Sequence, residues 1–226
     1  MEKIEVKILE HNLSGMPKFL ARLTQRGHKM HSMADVVELF NESVTTPPSS
    51  TMLALPHNTL KRMNYITVAI SGLSTKAVSQ LRTHAKRLTF VSTSTQYSSY
   101  EGLPDNYVIP KGLDKNIERK MRTAFDVAQF LYGELIAEGV DKDKVGYLLP
   151  QGLRKTLIVS GNLDDWQYVL RTRLCNRNTE EVQYIAKLIY KAIEEIDPVY
   201  TTGMLPPCID GQCQEGKFCC GKRFSL

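Results

Sequence analysis

With 226 residues, 42% of them hydrophobic and 23% charged, the chain is long enough to bury a substantial core, and its size suits one compact α+β domain. No stretch approaches the roughly 18 uninterrupted apolar residues of a membrane helix, and Met1-Glu2-Lys3 opens into charge rather than a signal-peptide block, so we expect an untargeted cytoplasmic protein. The formal charge of +5 suits an anionic ligand such as a nucleotide phosphate as well as an ordinary solvated surface. No zinc-finger, RNA-recognition or basic-zipper signature occurs, so no nucleic-acid polymer is expected as a partner.

Ile4 to Ile8 alternates apolar and polar positions and predicts an opening strand. Pro17 to Arg26, with Phe19, Leu20 and Leu23 on one face, predicts a short helix, and Met33 to Asn41 a second through Val36, Val37 and Phe40. The run from Thr45 to Ser50 breaks the period and reads as a loop. Tyr65 to Ile70 is rich in β-branched residues and predicts a strand stopping at Ser71-Gly72. Ser74 then caps a helix through Ala77, Val78 and Leu81, its hydroxyl accepting an amide left unpaired at the helix start. From Arg87 to Tyr100 the polar run reads as a loop or strand edge presenting hydroxyls.

The longest helix is predicted from Lys115 to Glu138, with Ile117, Met121, Phe125, Ala128, Leu131 and Leu135 as its apolar stripe and Gly139 as its end. Thr156 to Ser160 predicts a short strand. Asn162 or Asp164 caps a helix through Trp166, Val169 and Leu170. After a break at Cys175 to Asn178, Thr179 opens a last helix with the stripe Val182, Ile185, Ala186, Ile189 and Ile193. Residues 1–205 are therefore read as one α+β domain and 206–226 as a cysteine-rich tail.

Four of the five cysteines, Cys208, Cys213, Cys219 and Cys220, lie in that tail. Without a secretory signal a disulfide framework is not expected. The C-x4-C-x5-C-C spacing is not a usual ligand pattern, and adjacent cysteines rarely bind one tetrahedral ion together, so the tail reads first as free thiols, with a zinc site as the alternative and no metal ligand assigned.

Two segments carry a specific pattern. Ile70 to Ser74, Gln80-Leu81, the basic group Arg82, His84, Lys86 and Arg87, and Ser94 to Tyr97 form the first. Leu149-Pro150, Ser160 to Leu163, Trp166, Leu170, Arg173 and Cys175 to Arg177 form the second. In order and spacing both resemble the flavin-dependent thymidylate synthases, as does the tail Cys208 to Lys217, over roughly Leu55 to Gly221. The chain departs from that family's pattern where Arg62-Met63 replaces a Glu-His pair and where Arg82 to Arg87 replaces an Arg-His-Arg triplet. Gln96 and Gly146 stand where the family has arginines.

The resemblance implies an α+β fold with a central antiparallel or mixed sheet flanked by helices, assembled as a homotetramer. It implies methylation of dUMP, or a similar pyrimidine nucleotide, at carbon five, with FAD as cofactor and methylenetetrahydrofolate and NADPH as co-substrates. A uridylate methylase or hydroxymethylase, or a non-catalytic nucleotide-binding paralogue, are the alternatives.

Arg173 is assigned the catalytic role. A permanently charged planar fork can bond a uracil edge and stabilise negative charge growing on the ring; otherwise it is a cation at a helix C-terminus. Gln80, Ser94 and Gln96 are the further substrate-binding candidates: an amide for a pyrimidine or flavin edge, a hydroxyl for a phosphate, and the residue replacing the family's arginine. His57, in a family-like His57-Asn58-Thr59, joins Arg82, His84, Lys86, Arg87, Asn162 and Arg177 as cofactor-binding candidates, the basic group suiting a pyrophosphate. Helix capping is the other reading of Asn162 and a loop charge that of Arg177. Cys175 is not read as a nucleophile, because a helix C-terminus raises a thiol's pKa.

Overall fold

The computed structural model describes residues 4–13, 15–56, 58–103 and 106–226. Its strands are β1 (Glu5–His11), β2 (Tyr65–Ser74), β3 (Thr89–Ser92) and β4 (Arg154–Asn162). Its helices are α1 (Met16–Arg26), α2 (Met33–Val44), α3 (Ser50–Ala54), α4 (Thr59–Arg62), α5 (Thr75–Arg82), α6 (Lys115–Ala137), α7 (Lys142–Val145), α8 (Leu163–Arg173) and α9 (Glu180–Glu194). The strands form one four-stranded sheet in the order β1-β2-β4-β3.

The register is antiparallel throughout. Asn12, just past β1, donates its amide to the Tyr65 carbonyl at the start of β2. Thr67 and Ser160 share a hydroxyl hydrogen bond of 2.9 Å between β2 and β4, and the Thr93 amide donates to the Thr156 carbonyl across β3 and β4. On β2 the alternation is clean, with Ile66, Val68 and Ile70 fully buried, as Leu157 is on β4.

Contacts divide the described residues into two compact units, one of residues 4–5 with Ile70–Thr83 and Phe90–Ile158, the other of Val6–Ala69 with His84–Thr89 and Val159–Leu226. In the first, Tyr100, Tyr132, Val145 and Leu153 make a core against which Leu135, Ile136, Val140 and Leu149 pack. In the second, the expected α9 stripe is buried at all five positions, and Leu163, Trp166, Val169 and Leu170 of α8 are buried too. Trp166 donates its indole N–H to the Ile66 carbonyl at 3.0 Å, pinning α8 to β2.

Local chemistry accounts for the element ends. Ser74 accepts the Ala77 amide at 3.0 Å and Asn162 the Asp165 amide at 3.0 Å, so both expected caps form. Gly139, at φ 85°, ends the turn after α6. At Gly161 an added Cβ would lie 2.2 Å from Leu88 Cδ2, so the close crossing there favours glycine.

Three expectations change. β2 runs on past Gly72 to Ser74 instead of stopping, because the Gly72 carbonyl accepts Arg154 Nη1 at 2.7 Å and Thr75 donates its amide to the Leu153 carbonyl. The loop expected through Ser50 ends earlier, since Ser49 caps the short helix α3 by accepting the Met52 amide. On α6 the buried stripe is turned toward Tyr132, leaving Ile117 and Leu131 exposed. This helix carries a wider apolar band than one core covers, and Val127 and Phe130 are exposed on it as well.

Candidate functional site

Helix α8 buries Val169 and Leu170 in the core, while its Tyr168, Arg171 and Thr172, with Cys175 just past its end, line a groove of about 500 Å³. Arg177, Asn178 and the tail residues Pro206 to Cys208 and Cys213 to Glu215 form the rest of its wall. Arg171 donates to the Gln214 amide oxygen at 3.2 Å.

Arg173 closes the helix. Its Nε donates to His84 Nε2 at 2.8 Å and its Nη1 to Asn178 Oδ1 at 3.0 Å, and Asn178 in turn donates to the Thr172 carbonyl at 2.7 Å. For His84 Nε2 to accept, the ring must be neutral with its proton on Nδ1. Burial, then the Arg173 and Arg87 guanidinium groups, push the His84 pKa down to about 4, so that state holds at neutral pH. Burial also lowers the Arg173 pKa, although a guanidinium keeps its charge. The result is a cation whose orientation is set by neutral partners, as transition-state charge stabilisation requires.

Arg87 sits beside it. Its guanidinium lies 4.1 Å over the Tyr168 ring and pairs with Asp165 at 3.1 Å and Asp164 at 3.8 Å. Tyr168 meets His84 edge-on, with ring centroids 6.0 Å apart. His84, Arg87 and Arg173 are thus gathered around one aromatic ring, a set suited to a planar anionic ligand.

The other candidates are placed separately. In the first unit, Arg82 Nη2 donates to the Ser92 hydroxyl at 2.8 Å, and Gln80 is half-buried on α5. Ser94 Oγ accepts the amides of Gln96 at 3.0 Å and Tyr97 at 3.2 Å, while the Gln96 side chain is exposed. In the second unit, Asn162 spends its side-chain oxygen on the α8 cap. Arg177 donates to the Phe218 carbonyl and stacks 5.4 Å from that ring. Lys86 is exposed. His57 lies outside the described residues.

Sequence reading missed Tyr168, Asn178, Asp164, Asp165 and Lys61, which orient or neutralise the chosen residues. The signal available was the spacing Tyr168, Arg171, Thr172, Cys175, a polar face at helical period on an otherwise buried helix.

The pairing of His84 with Arg173 makes a pH prediction. A folded-state pKa near 4, below the ordinary 6.5, means the unfolded chain binds the extra proton first. Stability contributed by neutral His84 is therefore complete above about pH 6.5 and is lost as the pH falls toward 4. In urea unfolding the His84→Asn variant should show a flatter decline across that window than the parent. Equal slopes would mean that His84 is not held neutral.

The sequence profile of the thymidylate synthase complementing protein family matches residues 16–199. The chain belongs to that family. Within it, a flavin-dependent thymidylate synthase of Clostridium tetani is 21% identical over 99% of this chain and 95% of its own length. One of Pyrococcus abyssi is 26% identical over 79% of this chain and 76% of its own. The fold is that of the family too. Thymidylate synthase X of Helicobacter pylori, solved with FAD and dUMP, superposes with a TM-score of 0.68 at 16% identity, over 89% of this chain and 97% of that one. The UMP/dUMP methylase PolB of Streptomyces cacaoi, bound with 5-Br dUMP, gives 0.67 at 17% identity, over 91% and 98%. The family's α+β sheet with flanking helices is therefore the fold expected from the sequence.

No helix is long and apolar enough to cross a membrane among the described residues.

Proposed function

We propose that the chain is a flavin-dependent methylase of a uracil nucleotide, placing a carbon from methylenetetrahydrofolate on carbon five of dUMP, with NADPH as the source of reducing equivalents. The observation that carries this reading is the Arg173 fork, fixed by neutral His84 and by Asn178 beside the Arg87–Tyr168 pair. Family membership and the nucleotide and flavin bound by the Helicobacter protein support it.

The donor set fits both ligands in kind. Bound FAD would supply the reducing equivalents for the new methyl group. Arg87 and His84, with Arg82, Lys86, Asn162 and Arg177 as the other candidates, would bind and orient its pyrophosphate and ring system. Ser94 and Gln80 would position the nucleotide phosphate and base. Arg173 would hold the uracil edge and stabilise the charge that grows on it, which needs no enzyme thiolate. Assembly as a cytoplasmic homotetramer belongs to the same reading, and the exposed Val127, Phe130 and Leu131 of α6 support burial of that face against another copy.

PolB superposes as well as the thymidylate synthase does, which keeps a ribonucleotide-accepting methylase as the second reading. Gly146 and Gln96 replace arginines of the family pattern, and losing one charged phosphate contact costs about 1.5 to 3 kcal/mol, or one to two decades in affinity. FAD titrated into the protein by flavin fluorescence should therefore saturate, but more weakly than in a relative that keeps those arginines. No saturable binding at millimolar FAD would overturn the flavoenzyme reading and leave a non-catalytic paralogue. Product analysis with dUMP and UMP in parallel, with reduced flavin supplied directly, separates the two catalytic readings.

A further inference from the structure

Cys175, far in sequence from the cysteine-rich tail, shares a groove with two of its cysteines. Cys175, from the break after α8, lines the groove together with Cys208 and Cys213, and Cys208, Cys213 and Cys219 line a second cavity of about 280 Å³. The tail that brings them there is tied down at several points. Asn176 donates to the Lys222 and Arg223 carbonyls, both at 3.3 Å, Lys187 to the Ser225 carbonyl at 3.1 Å, and Phe224 is buried. Arg223 Nε donates to the Ile209 carbonyl at 2.8 Å, closing the tail into a loop around its thiols.

Two backbone amides point at sulfur. Gly221 donates its N–H to Cys219 Sγ at 3.4 Å, and the Glu215 amide donates to Cys213. Each donor lies two residues after its cysteine, and Gly216 at φ 53° and Gly221 at φ 70° shape the two turns. Such amides stabilise a thiolate over a thiol. Cys213 also shares a side-chain hydrogen bond with Cys219, and Cys208 is a close neighbour. A coordinating metal deprotonates its thiols outright.

We propose that Cys208, Cys213 and Cys219, with Cys175 as the fourth ligand, form a thiolate site for a soft divalent cation of the zinc class. Four thiolates around one such ion make a tetrahedral centre of net charge −2, and binding releases four protons. Lys222 and Arg223 on one cavity and Arg171 and Arg177 on the other offset that charge. Cys220 is left out: it is exposed and its thiol donates to the Lys222 carbonyl at 3.3 Å. Leaving it out also removes the objection that neighbouring cysteines do not share an ion. The spacing of the tail looked unlike a metal motif because the fourth ligand comes from Cys175. Among the described residues no three His, Cys, Asp or Glu side chains are yet arranged to hold an ion, so binding draws the sulfurs together and fastens the tail to the α8–α9 turn.

The test uses the full chain, reduced and reconstituted with zinc or cobalt(II) alone. About one equivalent of metal per chain is expected by elemental mass spectrometry, and cobalt should give the sulfur-to-metal and visible bands of a tetrahedral thiolate centre. Cys208→Ser, Cys213→Ser and Cys219→Ser should each lower affinity at least tenfold, Cys175→Ser should weaken binding and shift the cobalt spectrum, and Cys220→Ser should leave both unchanged. In the zinc-loaded parent, alkylation followed by peptide mapping should modify Cys220 and spare the other four, which checks the assignment without any variant. Absence of bound metal, full retention in Cys213→Ser, or equal alkylation of all cysteines with zinc present would overturn the proposal. So would recovery of a Cys213–Cys219 disulfide that excludes metal.

Discussion

Arg173→Ala is expected to lower turnover on the order of a hundred- to a thousandfold while leaving the fold in place, the loss typical of removing a donor aimed at developing charge, about 3 to 4 kcal/mol. The fold should survive because the buried anchors here are its neighbours Leu170 and Leu174, whereas Arg173 is half-buried and bonded to side chains. The effect should fall on kcat more than on nucleotide affinity, since the interaction strengthens as the ring gains charge. Lysine at that position should restore only part of the rate, because a point charge cannot bond His84 and Asn178 while presenting a planar fork. Arg171→Ala is the control. Its guanidinium faces the groove and Gln214, two residues along the helix, and turnover should change little. A second readout distinguishes the arrangement from a general weakening: in Arg173→Ala the His84 pKa, followed by its NMR titration, should rise from about 4, since one of the two guanidinium groups depressing it is gone. Equal loss of activity in the two variants, or none in either, would remove Arg173 from the mechanism.

The parts of this site that sequence could show are those carried by one segment. Arg173 ends α8 and Asn162 caps its start, as helical periodicity and capping chemistry predict. The apolar stripe of α9 was legible for the same reason: five residues at helical spacing have one way to be buried together. What links distant segments was hidden. Nothing local to His84 announces that it accepts from Arg173, 89 positions away, and without that partner it looks like one member of a basic cluster. The cluster itself disperses into different pairings, Arg82 to Ser92, His84 to Arg173 and Arg87 to Asp165, because each residue along the short stretch after α5 points differently. The α6 stripe failed for a different reason. Its apolar band is wide enough to fit two faces, and sequence does not say which one meets Tyr100, Val145 and Leu153. Lys155 is the clearest surprise, a lysine on an inward-facing position of β4, tolerated because Tyr100 accepts its ammonium at 2.8 Å and the Thr93 carbonyl at 3.3 Å.

Asp164→Asn should be the most destabilising polar substitution near the site. Asp164 lies in the first turn of α8, where a carboxylate meets the positive end of the helix, and its side chain is 11% exposed. Three cations converge on it: Lys61 at 3.8 Å, Arg62 at 3.6 Å and Arg87 at 3.8 Å. Arg62 is 62% exposed and can return its charge to water, but the Lys61 side chain is only 9% exposed and has one other polar partner in view, the Gln167 amide oxygen at 2.9 Å. Neutralising Asp164 therefore strands a buried ammonium, and breaking a buried pair in this way costs about 3 to 5 kcal/mol. The separations are those of ion pairs rather than short hydrogen bonds, which favours the lower end of that range, and a 3 kcal/mol loss lowers the melting temperature of a chain this size by roughly 6 to 12 °C. Arg62→Ala should shift it far less, as exposed pairs contribute about 0 to 1 kcal/mol. Adding Lys61→Met to Asp164→Asn should recover part of the loss, because the stranded charge leaves with its partner, so the two substitutions together should cost less than their sum by at least about 1 kcal/mol. Strict additivity in thermal melts of the four proteins would show that Lys61 does not depend on Asp164.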